Sequence, residues 1–262
     1  MKFFSFKKET MERPSVFGEG DTLFRYYFAS KYAKNKKVLD IGTGYGDGAH
    51  YLLSHGAKEV IGIDYAKSAI EEACRKFTQN GLIFQVMDAL SLQFSRNYFD
   101  VVIAYEIIEH LPVEAHNVFL QNIKYVLKKD GVGLISTPNQ LVYSPNTDKP
   151  NNPYHIKEFI AEELEILLKK HFSQVTIMGI KTVNKEFIEL YNKLGKSFRY
   201  KILDYVGKFK FVRESAGFIP KSTRIKMTGE NKFPHLTIRD FKVYRNKIKR
   251  DTCLTLIGIM KR

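Results

Sequence analysis

The stretch Val38–Gly48, VLDIGTGYGDG, decides the fold of this 262-residue chain. An apolar run typical of a strand passes here into a helix through glycines spaced G-x-G-x-G, and glycine allows positive φ and close approach of a ligand to the backbone. The next apolar run ends at Asp64, 22 residues after Gly42, where a carboxylate can accept both hydrogen bonds of a ribose diol. Loop, strand and acid together predict a nucleotide-type site; the alternative is a tight turn with an incidental acid.

Apolar runs alternate with amphipathic stretches on both sides of this loop. Runs such as VIGID and FDVVIA are apolar almost throughout, as expected of strands covered on both faces. Strands that alternate with helices indicate parallel βαβ units. The sequence therefore predicts an α/β, Rossmann-like, doubly wound sheet of seven strands. One helix is expected over residues 113–127, with Gly131 just beyond it as a left-handed cap.

The predicted organisation has four parts. They are an N-terminal helical cap (1–35), a cofactor-binding core (36–180), a basic insertion or lid (181–250) and a final core strand (251–262).

Several motifs carry a resemblance to the class I S-adenosylmethionine-dependent methyltransferases over about residues 12–180. They are the glycine loop, VIGIDYAKSAIEEA, Asp88-Ala89, FDVVIAYEIIEHL and LKKDGVGLISTPN. The resemblance implies a mostly parallel sheet with an antiparallel last strand, S-adenosylmethionine as cofactor and S-adenosylhomocysteine as product. The cofactor-binding residues that it implies are Arg25, Asp40, Gly42, Gly44, Gly46, Asp64, Tyr65, Asp88, Ala89 and Tyr105.

Two further segments are similar to a bacterial and archaeal subgroup that methylates oxygen atoms of glycans and small molecules. They are FRYYFA, at 24–29, and NPYHIKEF, at 152–159. By this resemblance Arg25 lies near the cofactor carboxylate and Asp40 orients the glycine loop and the cofactor amino group. The alternative for Arg25 is a surface ion pair.

The motif Tyr105–Leu111, YEIIEHL, follows a strand at the edge where open α/β sheets bind ligands. A hydroxyl acceptor must lose its proton, and His110 is the first choice of base, with Glu106 and His155 as further catalytic candidates. A divalent metal, which we do not favour, is the alternative, and its ligands would be Glu106, Glu109, His110 and His155. That arrangement resembles metal-dependent small-RNA 2′-O-methyltransferases, and quinone-biosynthesis O-methyltransferases share Glu-x-x-Glu-His. A third interpretation gives these residues structural roles.

The net charge of +14 lies entirely in the last 82 residues. Residues 1–180 hold 21 basic and 21 acidic side chains, whereas residues 181–262 hold 21 basic and 7 acidic. The basic part can contact RNA phosphates, anionic lipid headgroups or a diphosphate-linked substrate, or it is simply a solvated face.

The sequence thus predicts a methyltransferase that acts on an oxygen of a sugar or other small acceptor, with a phosphate or lipid group as a candidate feature. RNA 2′-O-methylation and a cofactor-binding regulatory protein without turnover are the alternatives. The expected partners are a small-molecule or glycan acceptor, with RNA and an anionic membrane surface as alternatives. Two cysteines, no apolar run of about 20 residues and no recognisable leader predict a cytoplasmic protein without a transmembrane segment.

Overall fold

The computed structural model describes residues 19–145, 147, 149–185, 238–245 and 253–262. The strands are β1 (Lys37–Ile41), β2 (Glu59–Asp64), β3 (Leu82–Val86), β4 (Phe99–Tyr105), β5 (Leu127–Pro138), β6 (Gln174–Thr182), β7 (Phe241–Tyr244) and β8 (Thr255–Lys261). The helices are α1 (Glu19–Ala33), α2 (Asp47–Ser54), α3 (Lys67–Lys76), α4 (His116–Val126), α5 (Gln140–Tyr143) and α6 (Ala161–Lys169). Short 3₁₀ turns span Ile108–His110, Val113–Ala115 and Ile238–Asp240.

The strands form one sheet in the order β3-β2-β1-β4-β5-β8-β6-β7. The pairs from β3 to β5 are parallel, and β8 lies antiparallel between β5 and β6. The doubly wound α/β class and the antiparallel position of β8 are therefore confirmed. The predicted count of seven strands is wrong, because β7 pairs antiparallel with the end of β6 as an eighth, outer strand.

Apolar side chains from both faces of the sheet form two separate cores. Val38 of β1 belongs to the core shared with α1 and α2, whereas its neighbour Leu39 belongs to the core shared with α4 and α6. Successive side chains of a strand point to opposite faces, so a strand that is apolar throughout supplies both cores. The helices on both faces leave the carboxyl ends of β1, β2 and β4 together at one edge.

The end of α4 differs from the prediction. The helix ends at Val126, and β5 starts at once at Leu127. Gly131 has no positive φ, so it is not a left-handed cap. Its role is close packing, because a Cβ there would lie 2.7 Å from Cδ1 of Leu127 and 3.0 Å from the carbonyl oxygen of Asp100.

The predicted insertion is only partly described. Its first residues, Lys181 and Thr182, belong to β6, and residues 241–244 form β7. The remainder, 186–237 and 246–250, lies outside the described residues, as does most of the predicted cap, 1–18. In the part that the structure describes, no helix is long and apolar enough to cross a membrane.

Candidate cofactor and acceptor site

The glycine loop leaves β1 and turns back over β2. The backbone N–H groups of Gly42 and Thr43 both donate to the carbonyl oxygen of Ile63, at 2.8 and 2.9 Å. Gly42, Gly44 and Gly46 have φ values of 74°, 55° and 82°, in the region that favours glycine. The geometry therefore explains why the loop needs glycine at all three positions.

Space around the loop is uneven. A Cβ on Gly42 would collide with the side chain of Ile107, and one on Gly46 would lie 2.5 Å from the ring of Phe84. A Cβ on Gly44 would meet no atom within 4 Å. Gly44 thus borders open space at the sheet edge, whereas the other two glycines allow close packing behind the loop.

Asp64 lies at the end of β2 and forms a hydrogen bond to the backbone of the loop. Its Oδ2 accepts a hydrogen bond from the backbone N–H of Gly44 at 3.0 Å, and its Oδ1 accepts one from that of Ala66 at 2.8 Å. A carboxylate offers about four lone-pair positions. Each oxygen of Asp64 can therefore accept a ribose hydroxyl in addition to its backbone donor.

A cleft of about 300 Å³ continues from Asp64 along the ends of β2 and β3. Its lining residues are Tyr65, Val86, Met87, Asp88, Ser91 and Gln93. Oδ1 of Asp88 accepts the backbone N–H of Leu90 at 2.8 Å, which fixes the carboxylate in the cleft. Ala89 packs against the α4 core. An acid among apolar groups suits a flat base that carries an amino group.

Asp40 is completely buried beneath the loop. It accepts hydrogen bonds from the hydroxyls of Thr43, at 2.7 Å, and Tyr26, at 3.1 and 3.2 Å. Burial raises the pKa of Asp40 to about 7, and both hydroxyl donors oppose that rise. Asp40 therefore supports the loop from inside the protein.

Arg25, a residue of α1, has a buried side chain. Its guanidinium donates to Asp21 at 2.6 Å and to Thr22 at 3.2 Å, and it lies 3.8 Å from Oε1 of Glu106. The structure thus places Arg25 in a buried ion cluster, and the surface ion pair that we considered is wrong. Tyr105 is buried beside it and donates its hydroxyl to the carbonyl oxygen of Arg25 at 3.3 Å.

Glu106 lies directly after β4 with a φ of 56°. Positive φ is uncommon for a residue with a side chain, and here the backbone N–H is held by the carbonyl oxygen of Ser136 at 3.0 Å. The Ser136 hydroxyl donates to Oε1 of Glu106 at 2.7 Å. The carboxylate therefore faces Ser136 and Arg25.

A second group of polar side chains lies next to Glu106. Ligand atoms of Glu109, His110 and His155 all lie within 4.8 Å of one another. Glu109 is fully buried; its Oε2 accepts the Thr137 hydroxyl at 3.1 Å, and its Oε1 has no hydrogen-bond partner. Burial, followed by the nearby charge of Glu106, raises the pKa of Glu109 well above its usual range.

Each of the two imidazoles in this group is oriented by a hydrogen bond at its Nδ1 atom. Nδ1 of His110 lies 2.9 Å from the carbonyl oxygen of Tyr154, and Nδ1 of His155 lies 2.7 Å from a carboxylate oxygen of Glu158. Because a carbonyl or a carboxylate can only accept, Nδ1 is the donor in both contacts. Nε2 of His155 lies 2.9 Å from the side-chain amide nitrogen of Asn152, so that ring is held at both nitrogens. The ring centroids are 5.0 Å apart, edge to face.

The structure thus brings together three of the four predicted metal ligands. Glu106 is not one of that group, and the four-residue metal site stays a prediction. Sequence reasoning missed Tyr26 and Glu158, which hold Asp40 and His155. The spacing of Glu158, three residues after His155, could have suggested that second pair.

Comparisons with known proteins agree with this geometry. A family profile described as "Methyltransferase domain" matches residues 38–131, which hold the glycine loop, Asp64, Asp88 and the Glu-x-x-Glu-His motif. Residues 38–131 are therefore similar to the methyltransferase domain that this profile describes. The open space at Gly44 and the acceptors of Asp64 and Asp88 fit the cofactor that defines this family.

The related proteins cover only part of the chain. A "Probable S-adenosylmethionine-dependent methyltransferase" of Mycobacterium tuberculosis is 33% identical over 148 residues, which are 55% of this chain and 52% of that protein. The phosphoethanolamine N-methyltransferase of Plasmodium falciparum is 29% identical over 165 residues, 62% of this chain and 60% of that protein. The chain therefore spans about half the length of the mycobacterial relative that it matches.

A solved structure extends the likeness in fold. A methyltransferase from Archaeoglobus fulgidus superimposes with a TM-score of 0.60 at 19% identity, over 94% of this chain and 95% of that one. At that identity the likeness shows a shared fold.

Proposed function

We propose that this chain transfers a methyl group from S-adenosylmethionine to an oxygen atom of a small acceptor, with a sugar or a lipid-linked glycan as the expected class. The observation that carries the proposal is the pair of imidazoles, His110 and His155, each with its Nδ1 proton held from behind. A hydroxyl group is a weak nucleophile and must lose its proton as it attacks, whereas a neutral amine is nucleophilic as it stands and can lose its proton after the methyl group has been transferred. Although the Plasmodium relative is named for a nitrogen acceptor, a histidine base at His110, with His155 packed beside it, favours oxygen here.

The residues have separate tasks in this reaction. The cofactor supplies an activated methyl group on sulfonium sulfur, so the protein chiefly positions the reactants. Asp64 and the loop around Gly44 hold the ribose and amino-acid parts, and the cleft at Asp88 holds the adenine. Nε2 of His110 would accept the hydroxyl proton as the acceptor oxygen bonds to the methyl carbon, the methyl–sulfur bond breaks and S-adenosylhomocysteine leaves. His155 would keep the acceptor beside His110.

Cofactor binding can be tested without knowing the acceptor. Calorimetry with S-adenosylhomocysteine is expected to show one site in the wild type and none in Asp64→Ala, because Asp64 supplies the ribose acceptors. The control is Asp130→Ala, an exposed residue near the start of β5. A wild type that does not bind the nucleoside would sink the proposal.

The base can be tested with labelled cofactor in a screen of nucleotide sugars, glycolipids and short RNAs. His110→Ala is expected to lower turnover of the best acceptor by about 10²-fold or more, which is typical for loss of a general base. The matched control is His171→Ala, whose imidazole contacts Asn117. Undiminished turnover in His110→Ala would exclude His110 as the base.

A second candidate is metal-dependent methylation of an RNA 2′-hydroxyl. Two observations favour it: the buried Oε1 of Glu109 has no hydrogen-bond partner, and a carboxylate oxygen of Glu109 lies within 4.8 Å of a nitrogen of each imidazole. A cation there would lower the pKa of a bound hydroxyl. Because the pKa of Glu109 is raised, binding would release a proton and strengthen as pH rises.

Titration with Mn²⁺ distinguishes the two candidates. The metal proposal predicts one site that Glu109→Gln removes and that the exposed neighbour Glu114→Gln retains. Turnover that is unchanged by chelator would leave His110 as the sole base. Strong retention of short RNA with a steep salt dependence would favour the RNA acceptor over a glycan.

Two further expectations concern the basic segment, 181–250. Contact with an anionic membrane or a phosphate-bearing acceptor, and a lid over the acceptor, remain proposals, since most of this segment lies outside the described residues.

A third alternative, a regulatory protein that binds the cofactor without turnover, predicts nucleoside binding with no product from any acceptor in the screen. A cytoplasmic location likewise remains a prediction.

A further inference from the structure

Two consecutive residues of α1 contact the ends of two neighbouring strands. Arg25 lies 3.8 Å from Glu106, just after β4, and Tyr26 donates its hydroxyl to both carboxylate oxygens of Asp40, in β1. These strand ends flank the edge at which the glycine loop lies. One turn of α1 therefore contacts the ends of β1 and β4 at the edge of the sheet where the glycine loop lies.

The ring of Tyr26 is fitted closely into this position. A Cβ on Gly48 would overlap the ring, so the absence of a side chain at the start of α2 makes room for it. The ring also packs edge to face against Tyr105, with centroids 5.6 Å apart. Both contacts fix the hydroxyl, which cannot swing away from Asp40 without moving α1.

Asp40 links Tyr26 to the glycine loop. Its carboxylate accepts the Thr43 hydroxyl at 2.7 Å, and Thr43 lies between Gly42 and Gly44. Gly44 in turn donates its backbone N–H to Asp64 at 3.0 Å. The chain of contacts thus runs from Tyr26 through Asp40 and Thr43 to the backbone that borders the cofactor space.

We infer that Tyr26 is a positioning residue that couples α1 to cofactor binding by holding Asp40 under the glycine loop. The inference rests on the proposed cofactor site. It assigns to α1 a role in the cofactor's affinity that does not require any atom of Tyr26 to touch the cofactor. Since coupling between two sites is reciprocal, the bound nucleoside must also stabilise α1.

The test uses the full chain, S-adenosylhomocysteine and the variant Tyr26→Phe, which keeps the ring and loses only the hydroxyl. We expect the dissociation constant to rise about tenfold, within the usual range of coupling between sites. The control is Tyr27→Phe, the neighbouring and more exposed tyrosine of the same helix. Equal affinity in Tyr26→Phe and wild type, with normal binding by the wild type, would overturn the inference while leaving the cofactor site intact.

Hydrogen exchange separates coupling from mere loss of stability. The nucleoside is expected to slow amide exchange in residues 19–33 of the wild type, and to slow it much less in Tyr26→Phe. Equal protection in both proteins would contradict the coupling, even if affinity fell.

Thr43→Val tests the same carboxylate from the loop side and serves if Tyr26→Phe folds poorly. Because both hydroxyls act through Asp40, the double variant should weaken binding by less than the product of the single effects. Independent, multiplying effects, or no effect of Thr43→Val, would refute the path through Asp40.

Discussion

Asp40→Asn tests the electrostatics of the buried carboxyl beneath the loop. The pKa of Asp40 is raised from 3.8 to about 7, mainly by burial. The folded protein therefore binds the proton more tightly than the unfolded chain between these two pH values. The stability that this proton contributes is fully present below pH 4 and is lost as pH rises through 7.

The size of the effect follows from linkage. With a folded pKa near 7 and an unfolded pKa near 4, the wild type should lose about 3 kcal/mol of unfolding free energy between pH 5 and pH 8 through this group alone, as an upper value. Asparagine cannot ionise, so Asp40→Asn lacks this loss. Its side-chain oxygen can still accept from Thr43 or Tyr26.

Urea unfolding at pH 5 and pH 8 measures the difference. The variant should gain about 3 kcal/mol relative to the wild type over this interval. Other titrating groups, such as Glu109 and His116, are present in both proteins and cancel in the comparison. A stability difference between the two proteins that is the same at both pH values would show that Asp40 is ionised throughout, and would refute the reasoning.

Three further predictions concern residues around the site. Gly48→Ala should lower the unfolding free energy by about 1–3 kcal/mol, because the new Cβ overlaps the ring of Tyr26; an unchanged urea midpoint would contradict that contact. Gly44→Ala should cost only about 1–2 kcal/mol of backbone strain but abolish nucleoside binding in calorimetry, since its Cβ enters the open space. Arg25→Met should lower the unfolding free energy by about 3 kcal/mol, because it leaves Asp21 buried and unpaired. Adding Asp21→Asn to that variant should recover most of the loss, and no recovery would show that the loss does not come from Asp21.

Features set by local chain chemistry were predictable from the sequence. The order of strands and helices followed from apolar runs and from the glycine loop, because a doubly wound sheet needs strands that are apolar on both faces. Strand β7 was not predictable, since FKVY is short and its pairing depends on the far end of β6. The conformation of Gly131 was equally hidden, because contacts with Leu127 and Asp100 decide it.

The cofactor side of the site was easier to predict than the acceptor side. Asp64 and the glycines act through the backbone of a turn whose shape the sequence pattern indicates. Tyr26 acts through a contact that forms only when α1 packs against β1, and sequence spacing carries no trace of it. Glu158 lies only three residues after His155, but that spacing alone does not show that the two side chains meet.

Glu106 shows why sequence spacing alone does not tell which acidic side chains lie beside His110 and His155. Residues three apart share a face only within a helix, and the 3₁₀ turn begins two residues later, at Ile108. The positive φ of Glu106 turns its carboxylate towards Ser136 and Arg25, whereas Glu109 turns towards His110 and His155. The two acids of the motif therefore belong to different halves of the site. One stands with α1 on the side of the cofactor loop, and the other stands with the histidines that would receive the acceptor.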